Sequence, residues 1–174
     1  MSKNIEQNIT KESILYNNIL LLSRNKFFYS KINLSDTFQN RIYLIFIHIS
    51  FIMIRSKLIN RDKEYKIFYQ KIFDILFNRI ELNMREIGYG DVSVNKNMKF
   101  LVKEFYNILL YCEKYSSESL ESKNTFFNNY LKFINDEKRA NTGLLVNYFD
   151  KFQAFCFDLS LESVLKGELN FNYK

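Results

Sequence analysis

The chain has 174 residues, 47% of them apolar and 17% aromatic, with no proline or tryptophan. That length predicts one domain able to bury its own core, and the apolar content excludes a disordered tail or linker. The formal charge of +6 is uneven: residues 1–110 carry 17 Lys+Arg against 10 Asp+Glu (net +7), and residues 111–174 carry 8 against 9 (net −1).

In chain order, Met1 to Glu12 is polar and mixed in charge, and residues 1–12 are expected to form a flexible arm. This stretch lacks the basic-then-apolar layout of a signal peptide and the Arg-rich, acid-poor character of a transit peptide. Residues 13–174 are expected to form a single all-helical domain. A first helix is predicted from about Ser13 to Asn25, with Ile14, Leu15, Ile19, Leu21 and Leu22 as its apolar area. Phe27-Phe28-Tyr29 then reads as a helical turn before a loop at Asn33-Leu34-Ser35.

Asp36 or Ser35 is expected to cap a long helix reaching about Asn60. Its middle is apolar except for His48 and Ser50, but only 13 residues separate Arg41 from Arg55. Crossing a bilayer takes about 20, so a central buried helix is the better reading. A spacing of seven is nearly two helical turns, which places Arg41, His48 and Arg55 on one narrow stripe.

The next helix is predicted from about Asp62 to Ile87. Phe68, Ile72, Ile75, Leu76, Ile80 and Ile87 share its apolar face. Arg79 and Asn83 fall on the same side, at the mouth of the packing or beside polar partners, because an unpaired buried charge is too costly. A further helix runs from about Val94 to Tyr115. Met98, Leu101, Val102, Phe105, Leu109 and Cys112 form its stripe, with Lys96, Lys99, Lys103, Asn107 and Lys114 opposite. Ser116 to Lys123 reads as a linker or a weak turn, and helices follow at about Asn124–Asn135 and Thr142–Leu159, separated by the charged loop Asp136 to Arg139. No stretch keeps a strand period for long, and no repeat of fixed length is visible. The expected fold is all-α, one compact domain of six or seven helices.

Between the two middle helices lies Arg85-Glu86-Ile87-Gly88-Tyr89-Gly90-Asp91-Val92-Ser93, which holds two of the four glycines. Gly88 suits the left-handed residue that closes a helix, and Ser93 or Asp91 can cap the next by accepting its first N–H groups. By local physics alone this is a helix–loop–helix corner.

Recognisable chemistry is absent from the sequence. One histidine cannot build a His-rich metal cluster, and Gly88-Tyr89-Gly90 lacks the third glycine and preceding strand of a dinucleotide site. Cys112 and Cys156 sit in apolar helical patterns and read as core residues. The expectation is a non-enzyme without cofactor or metal. His48 has two readings: a core histidine bonded to a carbonyl or acid, which is the commoner outcome, or a contact residue in the Arg41/His48/Arg55 stripe facing a client. The lysines also have two. They form the solvated face of a helix, or, with Arg85, a basic patch of Lys96, Lys99 and Lys103 that meets RNA phosphates or acidic headgroups. Tyr89, Phe100 and Tyr106 interleave with them, and stacking rings cannot be told from core rings by sequence.

The run Met84 to Val94, followed by Lys96, Lys99 and Phe105-Tyr106, resembles the hallmark segment of the ubiquinol–cytochrome c chaperone family. The resemblance extends over about Tyr16 to Tyr115. Phe27-Phe28-Tyr29, Asp36-Thr37-Phe38 and a helix bearing His48 and ending in Arg55 recur in the family's order. A Gly-Leu-Leu-plus-aromatic helix from Gly143 fits its end, while the basic positions here are lysine-biased and Tyr89 stands at a variable position. The resemblance implies a non-catalytic assembly chaperone. Such proteins hold newly made cytochrome b during biogenesis of ubiquinol–cytochrome c reductase; mitochondrial relatives work near the ribosome tunnel exit with a small partner subunit. It further implies a bacterial-type member without a mitochondrial extension, cytoplasmic and peripheral at the inner membrane. Candidate contact residues are Arg85, Gly88, Tyr89, Gly90, Asp91, Lys96, Lys99 and Lys103, with Arg41, His48 and Arg55. The alternative is a ribosome- or RNA-associated helical module with no respiratory client.

Overall fold

The computed structural model describes residues 10–59, 63–134 and 138–173. They form an all-α domain: α1 (Lys11–Ser23), α2 (Lys26–Ser30), α3 (Phe38–Ile59), α4 (Lys63–Glu86), α5 (Asp91–Lys114), a 3-10 turn (Tyr115–Ser117), α6 (Leu120–Tyr130), α7 (Lys138–Asp158) and α8 (Leu161–Lys166). The short α8 is one helix beyond those expected. The expected arm lies outside the described residues up to position 9. Its last residues belong to α1, where the Thr10 side chain accepts from the Ser13 amide and Glu12 pairs with Lys71 at 3.2 Å.

α3 is the hub, packing against α1, α4, α5, α7 and α8. By length and composition it could cross a membrane, yet its most apolar window is 72% buried inside the fold. Its cap is Thr37, whose hydroxyl accepts from the Asn40 amide at 3.2 Å. Neither Asp36 nor Ser35 takes that role. Asp36 is engaged by Arg41 instead, and the Ser35 carbonyl accepts from the Thr37 amide.

Helix α6 differs most from the sequence reading. It starts at Leu120, where the Ser119 side chain accepts from the Ser122 amide, and it ends at Tyr130. The following residues turn extended because buried Asn40 mimics a strand neighbour. Its amide donates to the Lys132 carbonyl at 2.8 Å and accepts from the Lys132 N–H at 2.9 Å. Ser35 N–H also donates to that carbonyl, Ile134 N–H donates to Asn33, and Leu34 bridges Phe133. The charged loop expected over Asp136 to Arg139 falls partly outside the described residues, and α7 already runs from Lys138.

The core is built from rings. Phe28, Phe46, Phe105, Tyr115, Phe127, Tyr148, Phe149 and Phe152 are fully buried, and edge-to-face contacts connect them, such as Phe46–Phe105 at 5.2 Å and Phe51–Tyr115 at 5.2 Å. Cys112 and Cys156 are free and buried, and burial pushes both thiols well above their ordinary range. They are packing residues, and their thiolates are suppressed.

Candidate partner-binding surface

The α4–α5 corner is closed by backbone geometry. Gly88 takes φ +94°, its N–H donates to the Arg85 carbonyl, and the Tyr89 N–H donates to the Met84 carbonyl. These two bonds make a Schellman closure, which needs a left-handed residue at that position. α5 begins at Asp91, three residues earlier than expected. Gly90 is its cap residue and makes no side-chain bond, so neither Ser93 nor Asp91 caps. Asp91 instead lies in the first turn, where its charge suits the helix dipole.

Arg85 fixes the corner from both sides. Its guanidinium donates to Glu81 at 3.1 and 2.9 Å and forms a close ion pair with Asp91. Those hydrogen bonds, the Asp91 one foremost, raise its affinity for its proton. Arg85 is thus neutralised by two acids and acts as a clamp rather than a free cation. Glu81 stands four residues before Arg85, a spacing that places the two side chains side by side on a helix.

Lys96, Lys99 and Lys103 lead away from this corner along one exposed face of α5. Among the described residues, none of the three makes an ion pair. Tyr89, 42% exposed, and Phe100, 48% exposed, line a shallow groove over Met84 and Leu101. Ile87 and Val92 are exposed beside them. Arg79 and Asn83, expected on the apolar side of α4, are both exposed. The corner therefore joins an apolar rim to a row of unpaired ammonium groups.

The Arg41/His48/Arg55 stripe is not one continuous exposed surface, because His48 between its two ends is buried. Arg41, at one end of α3, donates Nε and Nη2 to the two Asp36 oxygens at 2.6 and 2.7 Å. Arg55, at the other end, donates twice to the Leu159 carbonyl, at 3.0 and 2.9 Å, where α7 has just ended. His48 between them is fully buried. Its Nδ1–H donates to the Leu44 carbonyl at 2.6 Å, leaving Nε2 to accept from the Tyr148 hydroxyl at 2.9 Å. Phe28, Phe149 and Phe152 surround it edge-on. Burial lowers its pKa to about 4, against a partial opposing pull from the Leu44 carbonyl, so the ring is neutral at pH 7. The expectation of a client-facing histidine is corrected: α7 covers that side of α3, and the imidazole bonds inside the protein.

No group of His, Cys, Asp and Glu among the described residues could hold a metal ion.

A family model described as ubiquinol-cytochrome C chaperone matches residues 30–171. A crystal structure of the Cbp3 homolog from Brucella abortus has the same fold, with a TM-score of 0.79 over 94% of this chain and 89% of that one, at 21% identity. Among curated proteins, none matches. The matched stretch spans most of the sequence, and the chain belongs to the ubiquinol–cytochrome c chaperone family.

Proposed function

We propose that this ubiquinol–cytochrome c chaperone holds newly made cytochrome b, without chemistry of its own, while ubiquinol–cytochrome c reductase is assembled. The match to the family over residues 30–171 carries the reading. The interior is consistent with it, since it is filled by rings and its one histidine is held neutral. Binding then falls to surfaces. The α4–α5 corner, with Tyr89 and Phe100 exposed beside Lys96, Lys99 and Lys103, offers an apolar edge and a basic row. Such a surface suits a contact with a small partner subunit, or with ribosomal RNA or the acidic face of the inner membrane.

The test is deletion of the gene in its host, with assembled ubiquinol–cytochrome c reductase and cytochrome b measured in membranes. The expected result is selective loss of both, restored by this protein. Normal levels of both would overturn the reading. The helical RNA-associated module would then take its place, and it predicts nucleic-acid binding with no respiratory defect.

A further inference from the structure

Past α8 the chain changes character. Gly167, at φ +73°, closes α8 with the same pair of bonds as the corner glycine: its own N–H to the Val164 carbonyl, and the Glu168 N–H to the Ser163 carbonyl. The Asn18 amide donates to the Gly167 carbonyl at 2.6 Å. Beyond Glu168, among the described residues, no backbone–backbone hydrogen bond reaches Leu169-Asn170-Phe171-Asn172-Tyr173.

That segment alternates. Leu169 is buried, Phe171 and Tyr173 are half-buried, and Asn170 and Asn172 are exposed. A period of two is what an extended chain shows when one side faces a protein surface. Phe171 lies 5.4 Å from Tyr148, 5.1 Å from Phe152 and 5.3 Å from Phe155, centroid to centroid. Tyr173 lies 4.6 Å from Phe27 and 5.0 Å from Tyr148. Its hydroxyl donates to the Asn147 Oδ1 at 3.1 Å, and the Lys151 ammonium stands 4.9 Å from its ring centre. The segment is therefore held by alternate side chains in an aromatic groove, as a bound peptide would be.

We propose that the groove walled by Phe27, Tyr148, Phe152 and Phe155 is a docking site for extended apolar segments with aromatic residues at alternate positions, and that Leu169–Tyr173 occupies it in cis. A client segment displaces the internal one and takes the same pockets. The proposal deepens the client-holding reading, on which it rests for who supplies the segment. A nascent apolar stretch, extended before it folds, has the required form. Exchange breaks side-chain contacts but no backbone ladder, and the pockets refill with like groups.

The test uses the full chain and a fluorescein-labelled peptide of sequence Leu-Asn-Phe-Asn-Tyr, read by anisotropy. The double variant Phe171→Ser/Tyr173→Ser empties the pockets while leaving Gly167 and its anchor intact. The peptide is expected to bind this variant at least tenfold more tightly than the unaltered chain. A scrambled peptide, Leu-Phe-Tyr-Asn-Asn, is expected to lose most of that gain. The single variant Tyr173→Ser removes only the outer ring and keeps the test open if the double variant does not fold; it is expected to show a smaller gain of the same sign.

His48 gives an internal readout. It is the only histidine, and it bonds to Tyr148, which forms the groove floor. In the untagged protein its imidazole proton signal is expected to titrate at higher pH when the groove is emptied, and to return when the peptide binds. Equal peptide affinity for variant and unaltered chain, or indifference to the scramble, in folded protein would overturn the proposal. Peptide-linked dimerisation through exchanged segments, detected by light scattering, would overturn it in favour of a second copy as occupant. These measurements are made in vitro, so their failure leaves the cellular test of cytochrome b assembly standing.

Discussion

The ring-lined interior around His48 and the exposed corner at Gly88 present opposite solutions to the same composition. Both combine aromatics, a basic group and a hydrogen-bonded fixing residue. Around His48 every polar atom is consumed internally: Nδ1 by Leu44, Nε2 by Tyr148. At the corner Arg85 is consumed by Glu81 and Asp91, while Tyr89, Phe100 and three lysines stay on the surface. The difference teaches where to look for binding. The helical period shows which residues share a side, but only tertiary cover decides whether that side is available, and α7 covers the His48 side.

The sharpest test of that contrast is truncation. Phe149 is completely buried among Phe28, His48, Phe127 and Tyr148. Phe149→Ala is expected to cost about 3–5 kcal/mol, the range for removing a buried ring. Tyr89→Ala, at 42% exposure, is expected to cost a small fraction of that. Urea unfolding of both variants checks the pair. Comparable losses would remove the distinction between interior and rim.

Acid is expected to act next in size, and through the interior alone at first. His48 is held at about 4, against an ordinary 6.5, because burial disfavours its charged form. Between those values the unfolded chain takes up a proton that the folded chain refuses. Stability is therefore complete above pH 6.5 and falls as pH drops toward 4, by about 3 kcal/mol over the whole window. The hydrogen bonds from Arg41 to Asp36 and from Lys166 to Glu162 hold those carboxyls below their usual range, and their losses begin only below about pH 5. The upper half of the window thus isolates His48. Urea midpoints between pH 7 and 5 check this. A flat profile, or a slope that persists in His48→Phe, would contradict it.

The two left-handed glycines separate the regions by steric cover. Gly88→Ala meets no atom within 4 Å and carries only the strain of φ +94°, about 1–2 kcal/mol. At Gly167 a new Cβ would lie 2.7 Å from the Leu15 amide nitrogen and 3.1 Å from its Cα, on top of a φ of +73°. Gly167→Ala is expected to be the more destabilising, since α1 backbone must give way. Thermal melts order the two, and the reverse order would place the close approach elsewhere.

These cases also show what the sequence could reveal. The long helices, the all-α domain and the left-handed Gly88 follow from local rules: apolar period, capping chemistry and glycine's freedom. The misread ends do not. α6 stops at Tyr130 because Asn40, 92 residues away, binds the Lys132 backbone on both sides, and no local pattern announces a contact at that separation. The Ser119 cap is a serine before a helical run, but the Ser- and Glu-rich stretch around it carries too little apolar period to mark a helix start. His48 carried too little local information to choose between core and surface, since its partners come from α7. Within the Leu169–Tyr173 stretch the alternation was present, but five residues are too few to distinguish an extended segment from a frayed end.

The smallest effect on stability is expected where the largest effect on binding is sought. Lys96, Lys99 and Lys103 are exposed and unpaired among the described residues, so changing all three to Glu removes no contact that holds α5 in place. The melting temperature of the triple variant is expected to match the parent. Its sedimentation with ribosomes, or with vesicles containing anionic lipid, is expected to vanish. The parent's binding should weaken steeply as salt rises, because each phosphate contact releases a counterion. Arg85→Gln serves as the contrast: its charge is already spent on Glu81 and Asp91, so it should leave association nearly intact while loosening the corner. If Arg85→Gln abolished association and the lysine reversals did not, the binding surface would lie in the clamp itself, and the division between a closed corner and an open lysine row would have to be redrawn.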